Sequence, residues 1–366
     1  MTSGKKIRIC VVGLNFGECF IPIYQKHPDV EYVGACDANP QRLEEFKNKH
    51  GVQRLHTNFE EVISSPDYDA VHLLTPVTTH GLLTLKVMQS GKHCASAVPM
   101  GLNAGELEQI VEIQKKSGLN YMMMETDVYG RNYFYAQELY RNGTIGKIQF
   151  LRGCHSQDLE HINPVWRGMP PMWYMTHAVA PLLDILDTQA TEVHCYGSGT
   201  MRSEFEKNYG NPYPIETAIF SLKDTTVKAE ITRTLFETAP YGGEAFDIYG
   251  THGTFVTIGM DRSRGQQPLL LSISPLRETG EKRAQSFQVL NNIPFRPDLL
   301  PESLREFASG GHDGSHPHLV HEFIRSIVEE RPAYIDARRA ASWTIPGICA
   351  HESAMKNGEK IAIPCF

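Results

Sequence analysis

No C-x-x-C pair occurs anywhere in this chain of 366 residues. Its eight cysteines (Cys10, Cys19, Cys36, Cys94, Cys154, Cys195, Cys349 and Cys365) stand singly, a pattern of reduced thiols in a cytoplasmic protein, several of them on buried strands. No apolar stretch approaches the roughly 20 residues needed to cross a bilayer. The opening segment, MTSGKKIRICVVG, enters a strand-like run with no signal-type apolar region or small-residue cleavage site. Nor is there an excess of positive charge. A net charge of -7 gives no electrostatic reason to expect nucleic acid or an anionic membrane as partner. Internal repeats and low-complexity tracts are also missing. What remains is ordinary: 41% hydrophobic and 21% charged residues describe a globular protein, long enough for two domains.

The first third reads as strand, Gly-rich turn, helix, strand. KIRICVV from Lys6 is followed by Gly13-Leu-Asn-Phe-Gly17, the helical pattern ECFIPIYQKH, and EYVGACD ending at Asp37. That acidic position suits hydrogen bonding to the adenosine ribose hydroxyls of NAD and would repel a phosphate there. Where G-x-G-x-x-G is expected stand Gly13, Asn15 and Glu18. Asn15 is expected at positive φ, with Phe16 beside it and Gly17 letting the backbone approach a pyrophosphate. DYDAVHLLTP, GLLTLKVMQSGKH and NYMMMET continue the alternation of strand and helix, which argues for a doubly wound parallel sheet. Ligands of such sheets lie at the carboxyl ends of the strands, where Thr75, Pro76, His80 and Pro99 fall, with Glu125 and Asp127 as weaker candidates. His80 also reads as a helix-start residue with a satisfied ring nitrogen. The methionines at 122 to 124 read as core.

After Thr126 the pattern changes. IQFLRGCHSQ, TEVHCYGSG, ETAIFSLK, TVKAEITRTL and AFDIYGTHGTFVTI alternate apolar and polar residues, as strands of an open, mostly antiparallel sheet do. Helices from Met172 to Asp187 and His318 to Glu329 are expected to cover one face of it. Gly265 to His316 is expected to form long loops. The fold class is therefore α/β, with a nucleotide-binding domain over 1–126 and an α+β domain over 127–366, to which the resemblance given below assigns substrate binding and oligomerisation. The last long helix could pack back on the first domain.

The succession LLTPVTTH, GKHCASAVP, RNGTIGKIQFLRG, DIYGTHGTF and RPAYIDARRAASWT resembles the Gfo/Idh/MocA oxidoreductases along essentially the whole chain. The resemblance implies a Rossmann domain, an NAD(P)-dependent reaction on a sugar or cyclitol, and a homo-oligomer assembled through the second-domain sheet. Two catalytic positions depart from the family. Its usual Glu-Lys-Pro is Ala97-Val98-Pro99 here, and its usual Asp four residues before a His is Trp173 before His177. Val98 cannot transfer a proton, so the lysine role is not carried over. A subset containing NAD-dependent glycosidases has Val-Pro and Tyr-Pro-Thr-His. Tyr174-Met-Thr-His177 is similar, and the Gly-Gly-His loop of that subset resembles Gly310 to Gly314.

Tyr174 and His177 are three apart, hence on one face of a helical turn. An imidazole, with an unperturbed pKa near roughly 6.5, suits a general base at neutral pH better than a phenol at about 10. His177 is therefore the expected base and Tyr174 its orienting or relaying partner. His155, Asp158, His161, Trp166 and Arg167, from a strand end and the loop after it, could bind sugar hydroxyls, and so could His312. Equally, they could form a polar loop. His316, His318 and His321 do not fall on one helical face, and no metal is expected. Three functions stay open: an NAD-dependent sugar oxidoreductase, a redox-neutral glycosidase or lyase with a transient 3-keto sugar, and a catalytically silent NAD or sugar sensor.

Overall fold

The computed structural model describes residues 6–161, 164–239, 243–258, 268–274 and 286–366. They fall into two compact units. One holds the residues through Gly130 together with Phe295–Ala341 and Phe366; the other holds Arg131–Pro294 and Ser342–Cys365.

The first unit is built on six strands: β1 (Ile7–Val12), β2 (Val30–Cys36), β3 (Arg54–His56), β4 (Ala70–Leu73), β5 (His93–Ser96) and β6 (Tyr121–Met123). Their order is β3-β2-β1-β4-β5-β6 and every pairing is parallel. A parallel sheet is covered on both faces, so its strands are apolar runs. All four residues of β4 are buried, and Met122 and Met123 are fully so. Helices Pro40–His50 and Ala104–Ser117 begin at Asn39 and Asn103, whose side-chain oxygens accept from backbone N–H groups of the first turn. The topology reverses between β1 and β4, which marks the ligand end of such sheets.

A late segment returns to this unit. The helix expected over His318 to Glu329 to cover the second sheet is Gly311–Val328, and it packs with first-unit elements. Asn120 donates to Ser326 Oγ at 3.0 Å and to the Arg331 carbonyl at 2.9 Å. Arg325 pairs with Asp29 at 2.9 Å, and His27 Nε2 lies 3.0 Å from His321 Nδ1. The helix buries Leu319, Val320, Phe323 and Ile324 beneath these polar ties. The second domain thus lacks Phe295–Ala341, contrary to the division expected at residue 126.

The second unit carries nine strands: β7 (Ile148–Ser156), β8 (Ala190–Ser198), β9 (Ile215–Leu222), β10 (Lys228–Thr234), β11 (Gly243–Gly250), β12 (Gly253–Thr257), β13 (Leu269–Ile273), β14 (Ser286–Leu290) and β15 (Ile361–Ala362). Their order is β14-β13-β12-β11-β7-β10-β9-β8-β15, and only β7 and β10 run parallel. Helix Thr176–Ile185 packs on one face. Gly153 of β7 leaves the room: a Cβ there would sit 2.4 Å from the Ala178 carbonyl oxygen. The expected loop from Gly265 to His316 is corrected in part, since it supplies β13 and β14; the stretches 265–267 and 275–285 lie outside the described residues. Leu269 and Leu271, buried on alternate positions of LLLSI, together with pairing in register with β12, explain the strand.

Candidate active site

In the first unit the chain leaves β1 through Gly13, at φ 91° and ψ 94°. A Cβ on Gly13 would lie 2.4 Å from the Leu74 carbonyl oxygen, so only glycine fits this turn. A single helical turn, Leu14–Gly17, follows, and a second helix starts at Ile21. The helix expected from Glu18 thus begins three residues later, at Ile21. Pro22, without an N–H, sits in the first turn of the second piece. Asn15 is also corrected: it is helical and exposed, not at positive φ, because Gly13 alone makes the bend. Gly17 is buried, and its missing side chain admits Val11 Cγ1, 2.8 Å from where a Cβ would be. It seats the turn on β1.

Asp37 closes β2. Its carboxylate accepts from the Leu14 and Asn39 N–H groups, both at 2.9 Å, and from Arg42 at 3.0 Å. Arg42 also reaches the other carboxylate oxygen at 3.2 Å, so the roughly four lone-pair sites of the carboxylate are all engaged. At the ends of β4 and β5, Thr75 Oγ1 meets Thr79 Oγ1 at 2.8 Å. Thr79 also donates to the Pro76 carbonyl. His80 is buried, with its ring nitrogens 2.9 Å from the Pro99 and Thr75 carbonyl oxygens. A neutral ring donates to only one of these two carbonyls, and His80 lies between the two strand-end loops that carry them. Burial lowers its pKa against the pull of the two carbonyls. Val98, where the lysine would stand, is buried.

Phe16 lies edge-on to His312, ring centroids 5.5 Å apart. His312 belongs to this unit, on a left-handed run from Gly311 to Gly314. Its Nδ1 is 3.0 Å from His316 Nε2, and His316 stacks on Phe20 at 4.4 Å. Burial pushes His316 and His72 down to about 3, so both stay neutral. Glu125, fully buried after β6, accepts from the Asp127 N–H at 3.0 Å.

The second unit assembles the catalytic candidates. A 3-10 turn, Pro171–Tyr174, precedes helix Thr176–Ile185. The one helix expected from Met172 is therefore two elements, yet Tyr174 and His177 still meet: Oη to Nε2 is 3.4 Å, with the rings edge-on at 5.4 Å. Such contacts are often loose before substrate arrives. Trp166 lies edge-on to Tyr174 at 4.8 Å. His155, fully buried on β7, lies edge-on to His177 at 5.3 Å, and its Nε2 is 3.3 Å from Glu244 Oε1. A carboxylate, two imidazoles and a phenol thus form one line. The remaining loop residues are not part of it. Asp158 is exposed and caps the Glu160 N–H at 3.0 Å, while Arg167 donates to the Glu160 carbonyl at 3.1 Å. His161 is exposed. Trp173, in place of the family's Asp, packs edge-on to Tyr209 and His351.

Residues 7–125 match the Gfo/Idh/MocA model, an oxidoreductase family with an NAD-binding Rossmann fold. A Shewanella pealeana glycosyl hydrolase family 109 protein is 30% identical, over 92% of this chain and 80% of that protein. This chain belongs to the Gfo/Idh/MocA oxidoreductase family. Its first unit is the NAD-binding Rossmann domain of that family. A second glycosyl hydrolase family 109 protein, from Streptomyces niveus, is 22% identical over 98% and 77% of the two chains. The same fold occurs in scyllo-inositol dehydrogenase from Lactobacillus casei, solved with NAD(H) and scyllo-inositol. It superposes with a TM-score of 0.72 at 19% identity, covering 98% of this chain and 99% of that one. Within this family member the sequence reading missed Glu244, Gln157, Arg233 and Glu216. Arg233 and Glu216 carried a signal: each occupies the buried parity of a strand whose other inward residues are apolar.

Proposed function

We propose that this family member is an NAD-dependent oxidoreductase of a carbohydrate or glycoside in which His177 and Tyr174 do the proton work of the absent lysine. The approach of Tyr174 Oη to His177 Nε2 at 3.4 Å, with Val98 in the lysine position, carries the reading. Gly13, Gly17, Asp37 and the strand ends at Thr75, Pro76 and Pro99 would hold NAD; the Gly13 bend that no Cβ could enter fits it. When bound, NAD supplies a hydride acceptor for a sugar carbon. The chain's own part is the proton. His177 takes it from the sugar hydroxyl, Tyr174 orients that hydroxyl, and Glu244 beside His155 stabilises the positive charge that gathers on the imidazoles. Trp166 offers an apolar ring face to the sugar.

A second reading is supported by the full-length relatives named as glycosyl hydrolases. There the same pair would divide two protons: Tyr174 takes the C3 hydroxyl proton as the C3 hydride passes to bound NAD, and His177 removes the C2 proton so that the C1 substituent leaves. Water then adds at C1, C2 regains a proton and the hydride returns to C3, so no net oxidation results. His177→Ala should lower kcat by on the order of 10²–10⁴ while NAD affinity stays within a few-fold; a fully active variant removes His177 from the mechanism. Proton NMR in D2O with a glycoside panel separates the readings. A keto sugar accumulating with NADH means net oxidation. Deuterium at C2 with a free sugar and no NADH means cleavage.

We place the protein in the cytoplasm as a homo-oligomer. All eight cysteines are free thiols, and no helix among the described residues is long and apolar enough to cross a membrane. The sheet face away from helix Thr176–Ile185 carries the opposed pair Phe150 and Tyr249, the opposed row Val256, Leu270 and Val289, and Phe287, apolar side chains suited to a second copy.

A further inference from the structure

The side chains that fix Tyr174 come from two adjacent strands. Arg233 of β10 and Glu216 of β9 are directly opposed in register, and both are fully buried. Arg233 Nε donates to the Tyr174 carbonyl at 2.7 Å, Nη1 to the His155 carbonyl at 2.7 Å, and Nη2 to Gln157 Oε1 at 2.7 Å. Glu216 Oε2 accepts from the Met172 N–H at 2.8 Å, and its Oε1 meets His351 Nδ1 at 2.6 Å. The 3-10 turn Pro171–Tyr174 is therefore gripped near its start by a buried anion and at its end by a buried cation.

We infer that Arg233 and Glu216 are positioning residues that act as a clamp: they set the distance between Tyr174 and His177 without touching substrate. The inference rests on the proposed role of that pair. Burying two charged groups is costly unless each is hydrogen-bonded, and apolar residues would fill this sheet face more cheaply. The geometry explains their presence. A two-residue gap separates Tyr174 from His177, and the turn before it has no long helix to hold it. Only the planar fork of arginine reaches the backbones of Tyr174 and His155 together, so one side chain keys both ends of the Tyr174–His177–His155 line. Its guanidinium carbon also lies 5.3 Å from the centre of the Tyr174 ring.

Arg233→Lys keeps the charge and loses the fork. With sub-ångström placement at stake, kcat should fall by about 10² while KM and NAD affinity hold within a few-fold. Glu216→Gln keeps an oxygen for the Met172 N–H but loses the charge facing His351; it carries the test if the arginine variant does not fold, with a kcat loss of about tenfold expected. In both, 3-fluorotyrosine at position 174 reports on the turn directly. The wild-type protein should give one narrow 19F line, and the variants a shifted or split one. Wild-type kcat with an unmoved line overturns the clamp. A moved line with wild-type kcat upholds the clamp and instead removes Tyr174 from the chemistry. A loss of kcat matched by an equal loss of NAD affinity and of Tm would mean general damage, and would also overturn it.

Discussion

Asp37 holds Arg42 by two oxygens at the end of β2, and we propose that this pair sets which nicotinamide cofactor is accepted. The carboxylate repels a ribose phosphate and occupies the cation that would welcome one. Asp37→Ser should raise the KM for NAD and release Arg42, shifting the NADP-to-NAD preference by on the order of tenfold, about 1.4 kcal/mol. Steady-state kinetics with both cofactors decide it, and an unchanged ratio would sink the assignment. At this scale the sequence was only partly legible. Tyr174, His177 and Asp37 declare themselves because each sits in a spaced motif. Arg233 and Glu216 have no motif, only a charge at the apolar parity of a strand, and their meaning depends on which turn lies across the sheet. Asn15 misled because a polar residue after a glycine can take either backbone region, and packing against Leu74 left the bend to Gly13 alone.

Among the elements, helix Gly311–Val328 with its neighbours gathers histidines that burial holds neutral. His27 and His318 are pushed down to about 4, His72 and His316 to about 3. In the unfolded chain these rings titrate near 6.5. Between about 4 and 6.5 the unfolded state therefore binds more protons than the folded one, and stability falls as the solution is acidified. The contribution is complete above pH 6.5 and drains away as the pH drops towards 4. Thermal melts across this window should show Tm falling steadily, and the fall should be shallower in His318→Gln; a flat Tm between pH 6.5 and 4.5 would contradict the burial argument. The parallel strands of the first sheet could be read from apolar runs bounded by turn residues. The allegiance of this helix could not, because an amphipathic stripe says that a face is buried but not against which partner.

For the molecule as a whole, we propose that the outward face of the nine-stranded sheet governs assembly. Phe287 and Val289 are exposed, and the band they begin continues through Leu270 and Val256 to Tyr249 and Phe150. The exposed Phe287 and Val289, with the half-buried apolar residues beside them, favour a self-complementary contact with a second copy. Light scattering should return a dimer or a multiple of it, and Tyr249→Arg combined with Val256→Arg should shift it towards monomer without altering NAD binding. A monomeric wild-type protein at micromolar concentration would discard this interface.

The first unit is discontinuous, completed only by Phe295–Ala341. On a ribosome advancing at about 5–20 residues per second, the strands through β6 emerge many seconds before the segment that bonds Asn120 and Met123. During that interval the nascent sheet must wait with its edge unsealed while β7 to β14 of the second sheet are synthesised. The chain's most vulnerable moment is thus a matter of timing, and a chaperone engaging nascent chains should find it there.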